Sequence, residues 1–317
     1  MQRGAAARDG SRTAAGFGLA VLSAAGFGMS GSLASRLIET GWTPGAVVLA
    51  RLGLAALVVA PVSAVALRGR WNLLRRNGFV IALYGLLAVA GAQFCYFSAV
   101  TRMQVGPALL IEYTAPAAVV VWLWARHGQR PRPLTLAGAA LAALGLVLVL
   151  DLLSGVDLDP AGVLWALGAM VGAAVYFIVS ADEDTGLPPV ALVGAGLVVG
   201  TLALGLLGLV GLLPMRAATT SVEYAGADVA WWVPLLVLGL VTAALAYVVG
   251  VAAGRRLGSR MASFVALLEV AAGVLFAWLL LARCPAPCRL LGGALVLGGV
   301  VLVKLGEPRP APETPAT

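Results

Sequence analysis

Charge is what this chain has least of. Asp, Glu, Lys and Arg make up 11% of its 317 residues, where a soluble globular domain carries about 25%. With 61% hydrophobic residues and a mean hydropathy of +0.98, the chain belongs in a bilayer rather than in water. Histidine occurs once, as His127, and no Asp lies deep in an apolar run. These scarcities argue against an intramembrane protease or acyltransferase, which needs a nucleophile with a base, or a metal cluster. The chain has no Gly-x4-Gly-Lys-Ser/Thr phosphate loop, so ATP hydrolysis within it is not expected. No metal and no cofactor is implied. Cysteine is scarce too. Cys95 sits in an apolar run, where a small buried hydrophobe is the default. Cys284 and Cys288 flank Pro-Ala-Pro. On an extracytoplasmic face they could pair, but they lack the further Cys or His of a zinc site.

What is abundant is long apolar runs. A spanning helix needs about 20 apolar residues. Ten runs qualify or nearly so: 14–33, 44–67, 78–100, 105–124 and 133–152, then 160–180, 189–213, 231–251, 261–281 and 290–303. Pro44, Pro133, Pro160 and Pro189 open their runs, where a missing N–H costs least. The expected fold is an all-α integral membrane protein of about ten transmembrane helices. Residues 1–13 form a short N-terminal tail, and the Pro-rich stretch 307–317 is expected to be disordered.

The excess of base over acid is +7, but the basic residues sit in short gaps between runs. That is the pattern of membrane topology, not of a nucleic-acid-binding face. Arg51 aside, only Arg36, Arg102, Arg216, Arg283 and Arg289 fall on the face away from the chain ends; fifteen fall on the other. By the positive-inside rule both termini are cytoplasmic. Asp182, Glu183 and Asp184 sit against that trend, though acids contribute little to it. Arg far outnumbers Lys, and Ala and Gly are abundant, as in a GC-rich bacterium, so a bacterial inner membrane is the expected location.

The second half repeats the first. At an offset of 154 (285 − 131), Pro131-x-Pro133 falls on Pro285-x-Pro287, Gly85 on Gly239, Arg102 on Arg256, Trp124 on Trp278, Gly138 on Gly292 and Gly145 on Gly299. A unit of five runs, 14–153 and then 160–306, starts on opposite sides of the membrane in its two copies. The halves are therefore expected to be inverted five-helix repeats, a construction common among transporters.

Polar residues inside the bilayer are the functional suspects, since a charge at its centre costs about 2.5–3.5 kcal/mol or more. Arg51 in the second run and Glu112 in the fourth lie at similar depth and can pair, either as a structural ion pair or with Glu112 serving the solute. Glu269 in the ninth run falls opposite Ala115, one helical turn from Glu112. Both glutamates are thus expected on equivalent faces, aimed at a central cavity, as ligands for solute or proton. A neutral carboxyl bonded to a neighbouring helix is the structural alternative. Ser30, Ser32, Tyr84, Gln93, Tyr96, Tyr113, Trp165, Tyr176 and Tyr247 can line such a cavity or simply pack. Gln93 and Tyr247 are repeat equivalents (247 − 93 = 154). Pro116, near Glu112, frees a carbonyl and permits a kink, which suits a gate.

Two five-run halves, each ending in a Gly-rich run (Gly138-Ala-Ala-Leu-Ala-Ala-Leu-Gly145; Gly292-Gly-Ala-Leu-Val-Leu-Gly-Gly299), resemble the drug/metabolite transporter superfamily and its EamA-type exporters. Glu112-Tyr-Thr-Ala-Pro116 is similar to that family's fourth-helix segment, and Arg51-Leu-Gly-Leu-Ala-Ala-Leu to its second helix. Leu267-Leu-Glu-Val270 resembles its ninth-helix Leu-Glu-Pro, with Val270 in place of the proline. The family's usual acid after the fourth and ninth helices is replaced by Ala125-Arg-His127 and Ala282-Arg-Cys284. The first run has no acid, so the first-helix glutamate of the small multidrug members has no counterpart here. The resemblance implies a secondary-active exporter of metabolites, amino acids or toxic compounds, with a proton as candidate coupling ion. An uptake carrier or a flippase of a lipid-linked solute is the alternative. The partners implied are a small-molecule solute and the lipid bilayer, in a monomer or homodimer.

Overall fold

The computed structural model describes residues 2–150, 152, 159–281 and 286–306, with side chains from Thr13 onward. The pairing of Cys284 with Cys288 and the 307–317 tail lie outside the described residues. Among the described residues, eight helical stretches are long and apolar enough to cross a membrane, and two apolar helices, Pro133–Val149 and Leu268–Leu281, are shorter. The ten spans are α1 (Gln2–Glu39), α2 (Pro44–Ala66), α3 (Gly78–Val100), α4 (Val105–His127) and α5 (Pro133–Val149) in the first half. The second half holds α6 (Pro160–Ala181), α7 (Pro189–Leu209), α8 (232–257), α9 (259–281) and α10 (Pro287–Gly306).

Local chemistry sets the ends of these helices. Pro44, Pro133, Pro160 and Pro189 each stand in the first turn of their helices, where no intrahelical N–H bond is lost. Asp159 caps α6 by accepting from the Ala161 and Gly162 amides at 3.4 and 3.2 Å. Gly128 ends α4 in the left-handed region (φ 66), with the Gln129 amide returning to the Leu123 carbonyl at 3.2 Å. Gly258 (φ 76, ψ 162) makes the turn between α8 and α9, a conformation open essentially to glycine.

Two features add to the expected elements. Residues 2–13 are helical and run on into α1. The chain is also not wholly helical. Between α7 and α8 a two-stranded antiparallel hairpin pairs β1 (Val222–Tyr224) with β2 (Ala227–Val229). It is held to the first half by side chains. The Tyr224 hydroxyl donates to the Leu33 carbonyl at 2.8 Å, and the Trp42 indole donates to the Ala218 carbonyl at 2.7 Å.

The inversion of the halves can be read at the α5–α10 crossing. A Cβ on Gly138 would stand 2.6 Å from the Gly299 carbonyl oxygen, and one on Gly299 would stand 2.6 Å from that of Gly138. Gly145 and Gly292 stand in the same reciprocal relation, again at 2.6 Å. Residue numbers rise along one helix as they fall along the other, so α5 and α10 are antiparallel. Small residues let backbones approach this closely, the usual device of helix pairing in lipid. The 154-residue offset governs only α3–α5 against α8–α10. Pro44 and Pro189 open α2 and α7 at an offset of 145 (189 − 44). The longer α7–α8 connection, which contains the hairpin, takes up the difference.

Outward-facing apolar side chains complete the membrane surface. Leu57, Phe79, Leu202 and Leu209 are largely exposed, as expected where lipid rather than protein is the neighbour.

Candidate functional site

The repeat places two kinds of irregularity in equivalent helices. A π-helical segment interrupts α3 at Tyr84–Gly91 and α8 at Leu240–Leu245. Both end at equivalent positions, 91 and 245 (245 − 91 = 154). The fourth and ninth spans are each in two pieces. In α4, Val105–Glu112 gives way at Tyr113 and Thr114 to Ala115–His127. In α9, the piece that follows Gly258 ends at Ala266, and Leu268–Leu281 resumes after Leu267. The breaks are tightened by short bonds, from the Thr114 amide to the Ile111 carbonyl and from Leu267 to Phe264, both 3.1 Å. Such discontinuous helices are where transporters bind solute.

Glu112 closes the first piece of α4, and Glu269 opens the second piece of α9. Both line one central cavity of about 760 Å³. So do Ala115 and Ala266, their repeat equivalents. Each half thus offers the cavity two positions one turn apart and fills one of them with acid. Arg51, Gln93, Tyr96 and Tyr113 also line the cavity, as do Tyr176, Tyr247 and Pro116. The sequence therefore picked out side chains from α2, α3, α4, α6, α8 and α9 that meet in one place. Ser30 lines the cavity as well. Ser32, Tyr84 and Trp165 do not. Tyr84 is fully buried in the core between α3 and α7, and Trp165 packs edge-on against Phe94 at 5.6 Å.

One expected contact is not made. Among the described residues Arg51 forms no ion pair with Glu112. Its Nη2 donates instead to the Thr242 carbonyl at 2.6 Å, inside the π segment of α8, and its guanidinium lies 5.7 Å from the Phe27 ring centroid. The reason is packing. The second span lies against α7 and α8, while α4 lies against α6, so equal depth does not make Arg51 and Glu112 neighbours. The acid within electrostatic reach of Arg51 is Glu269. Glu269 Oε1 also receives the Tyr113 hydroxyl at 3.5 Å. The two glutamates are themselves within electrostatic reach of each other.

An aromatic wall runs along one side. Phe27 meets Tyr247 edge-on at 5.0 Å, Tyr247 meets Tyr176 at 5.8 Å, and Tyr176 meets Phe177 at 5.0 Å. Phe27, Phe97 and Phe177 were missed as site residues. Phe27 had one signal, as a lone aromatic between Gly26 and Gly28 in a small-residue helix. Phe97 and Phe177 adjoin predicted lining positions but cannot be told from lipid-facing side chains.

The lining of the cavity extends to the span ends of one membrane face. Ile38, Pro44, Val100, Val105, Leu150 and Arg289 line it, and all stand at the ends of spans on the face away from the chain ends. On the other face, hydrogen bonds tie span ends and connections together. Arg260 donates to Gln129 Oε1 at 3.2 Å, Arg255 donates to the Leu187 carbonyl, and Asn77 donates to the Thr185 carbonyl at 3.0 Å. Arg255 also lies within electrostatic reach of Glu183 and Asp182, which gives those acids a partner on an otherwise basic face.

Spans in two inverted halves, with both broken helices meeting at one cavity, define a multi-pass membrane protein of transporter architecture. The chain belongs to the EamA-like transporter family, whose model matches residues 14–151 and 160–305, one match for each half. That family lies within the drug/metabolite transporter superfamily and is not a family of enzymes. Among solved structures, 29 chains match. One crystal structure is similar over 93% of this chain and 97% of its own, at 25% identity and a TM-score of 0.68. No curated protein sequence matches.

Proposed function

We propose that the chain is a secondary-active exporter of small metabolites, amino acids or toxic compounds. It works by alternating access about the α5–α10 axis, in a bacterial inner membrane with both termini cytoplasmic. The observation that carries this reading is the central cavity at which the breaks of α4 and α9 meet, with its lining extending to the span ends of one face. The charge split supports placing that face outside, and on this reading the conformation is the one that releases solute. Opening the cytoplasmic face requires the α8–α9 turn to leave Gln129 and Leu187. A proton is the proposed coupling ion, carried by the cavity carboxyls.

Two measurements test this. Cells with and without the chain are compared for metabolite excretion and for resistance to toxic analogues, which identifies the solute. Flux of that solute is then followed in proteoliposomes under an imposed pH gradient. Glu269→Gln is expected to abolish transport or its response to the gradient. Gradient-driven flux that is unchanged in Glu269→Gln removes this carboxyl from the coupling.

A further inference from the structure

Resting on the transport reading, we infer that the solute carries a cationic amine that seats at Glu112, while Arg51 serves Glu269 and not the solute. Arg51 is held by the protein on three sides, although among the described residues its buried Nε has no hydrogen-bond partner. It is bonded to the Thr242 carbonyl at 2.6 Å, placed over Phe27 at 5.7 Å and set against the charge of Glu269. Glu269 in turn receives Tyr113. Glu112 has neither kind of partner. Among the described residues no hydrogen bond or ion pair reaches its carboxyl, and its electrostatic neighbours are Glu269, Cys95, Tyr96, Tyr113 and Tyr247. A carboxylate facing a cavity without a counter-charge is the group a cationic ligand completes.

The surroundings point the same way. Glu112 ends a helical piece, where the helix dipole is negative and favours a cation. Its backbone carbonyl cannot receive the usual helical bond from position 116, because Pro116 has no N–H. An ammonium group has three donors, and here it finds both a carboxylate and a freed carbonyl. Tyr96 and Phe97 pack at 5.6 Å along the cavity, and Phe177 lies on its aromatic wall. These rings can cover a cation or an apolar body. A solute led by a carboxylate would meet the one acid that has no cation beside it, so an apolar primary amine is the class that fits.

The test compares three probes of one shape with different heads: 2-phenylethylamine, 2-phenylethanol and 3-phenylpropionate. Binding to the purified full chain in detergent is measured by calorimetry at millimolar ligand. The amine is expected to bind best. Glu112→Gln should weaken it about tenfold or more, the scale of losing a charge-assisted bond, while Glu223→Gln, exposed on the hairpin, retains it. Glu112→Asp should weaken the amine and leave the alcohol unchanged; it also serves if Glu112→Gln cannot be recovered folded. Three results overturn the assignment: no binding of the amine, amine binding equal in Glu112→Gln and the parent, or preference for the propionate with dependence on Arg51. Transport of other solutes alongside any of these would leave the exporter reading standing and remove only the amine.

Discussion

Replacing Gly145 with Ala puts the inverted architecture itself to the test. The new Cβ would lie 2.6 Å from the Gly292 carbonyl oxygen and 2.7 Å from the Val296 amide nitrogen. Both are backbone atoms, so no side chain can turn away. Ordinary contact begins near 3.4 Å, and the two backbones must separate by about 0.8 Å (3.4 − 2.6). Overpacking of that kind costs about 1–3 kcal/mol. Ala is also the better helix former, by about 0.5–1 kcal/mol over Gly, which offsets part of the loss. Gly18 supplies the control, since a Cβ there meets nothing within 4 Å. Gly18→Ala should therefore stabilise while Gly145→Ala destabilises. Gly292→Ala creates the reciprocal clash at the same crossing, and one separation of the two backbones relieves both, so the Gly145→Ala, Gly292→Ala double variant should lose less than the sum of the singles. Thermal unfolding of purified protein, followed by size-exclusion chromatography after heating, reads all four. Equal stability of Gly145→Ala and Gly18→Ala would refute the close α5–α10 crossing and the pseudo-two-fold axis drawn through it.

Two further outcomes follow from the gate and the break. Removing the bonds at the α8–α9 turn with Arg255→Ala and Arg260→Ala should raise labelling of a single cysteine at Ser23 by an impermeant maleimide from the cytoplasmic side several-fold, and unchanged labelling would count against this turn as the gate. Pro116→Ala should leave the break in α4 in place, because α9 breaks at the equivalent position with Val270 there, but should weaken amine binding by returning an N–H to the Glu112 carbonyl; unchanged amine binding in a folded Pro116→Ala variant would remove that carbonyl from the seat.

The sequence made the glutamates visible because the bilayer makes polar residues costly, and few other acids interrupt the apolar runs. Repeat arithmetic then put Glu112 and Glu269 one turn apart on equivalent spans, and both line the cavity. Arg51 was equally visible, yet its partner was not. Depth along a helix follows from residue number at 1.5 Å per residue; which helix stands beside it does not. The hairpin at Val222–Val229 stayed hidden because three-residue strands leave no periodicity to count. The same connection explains why one offset could not cover the whole chain. Phe27 was lost among many apolar side chains, since an aromatic ring in a spanning helix faces lipid as readily as it faces a cavity.

The paired breaks carry the last step. Pro116 offers an easy cause for the break in α4, but its equivalent in α9 is Val270, which keeps its N–H. That N–H bonds to the Leu267 carbonyl at 3.1 Å, three residues back rather than four. The ninth span is thus interrupted without a proline. What the halves share at this place is position in the fold. In the second half the neighbour is α1, where a Cβ on Gly28 would stand 2.5 Å from the Glu269 carbonyl oxygen and 2.9 Å from the Gly273 amide. Close backbone packing of this kind can hold a helix piece in place whether or not its first turn is regular. The proline in α4 therefore adds a missing donor to a break the architecture already makes. Its particular consequence is the freed carbonyl of Glu112, on the half that holds the unpartnered acid. The two halves bend alike, and they differ in what each bend exposes to the cavity.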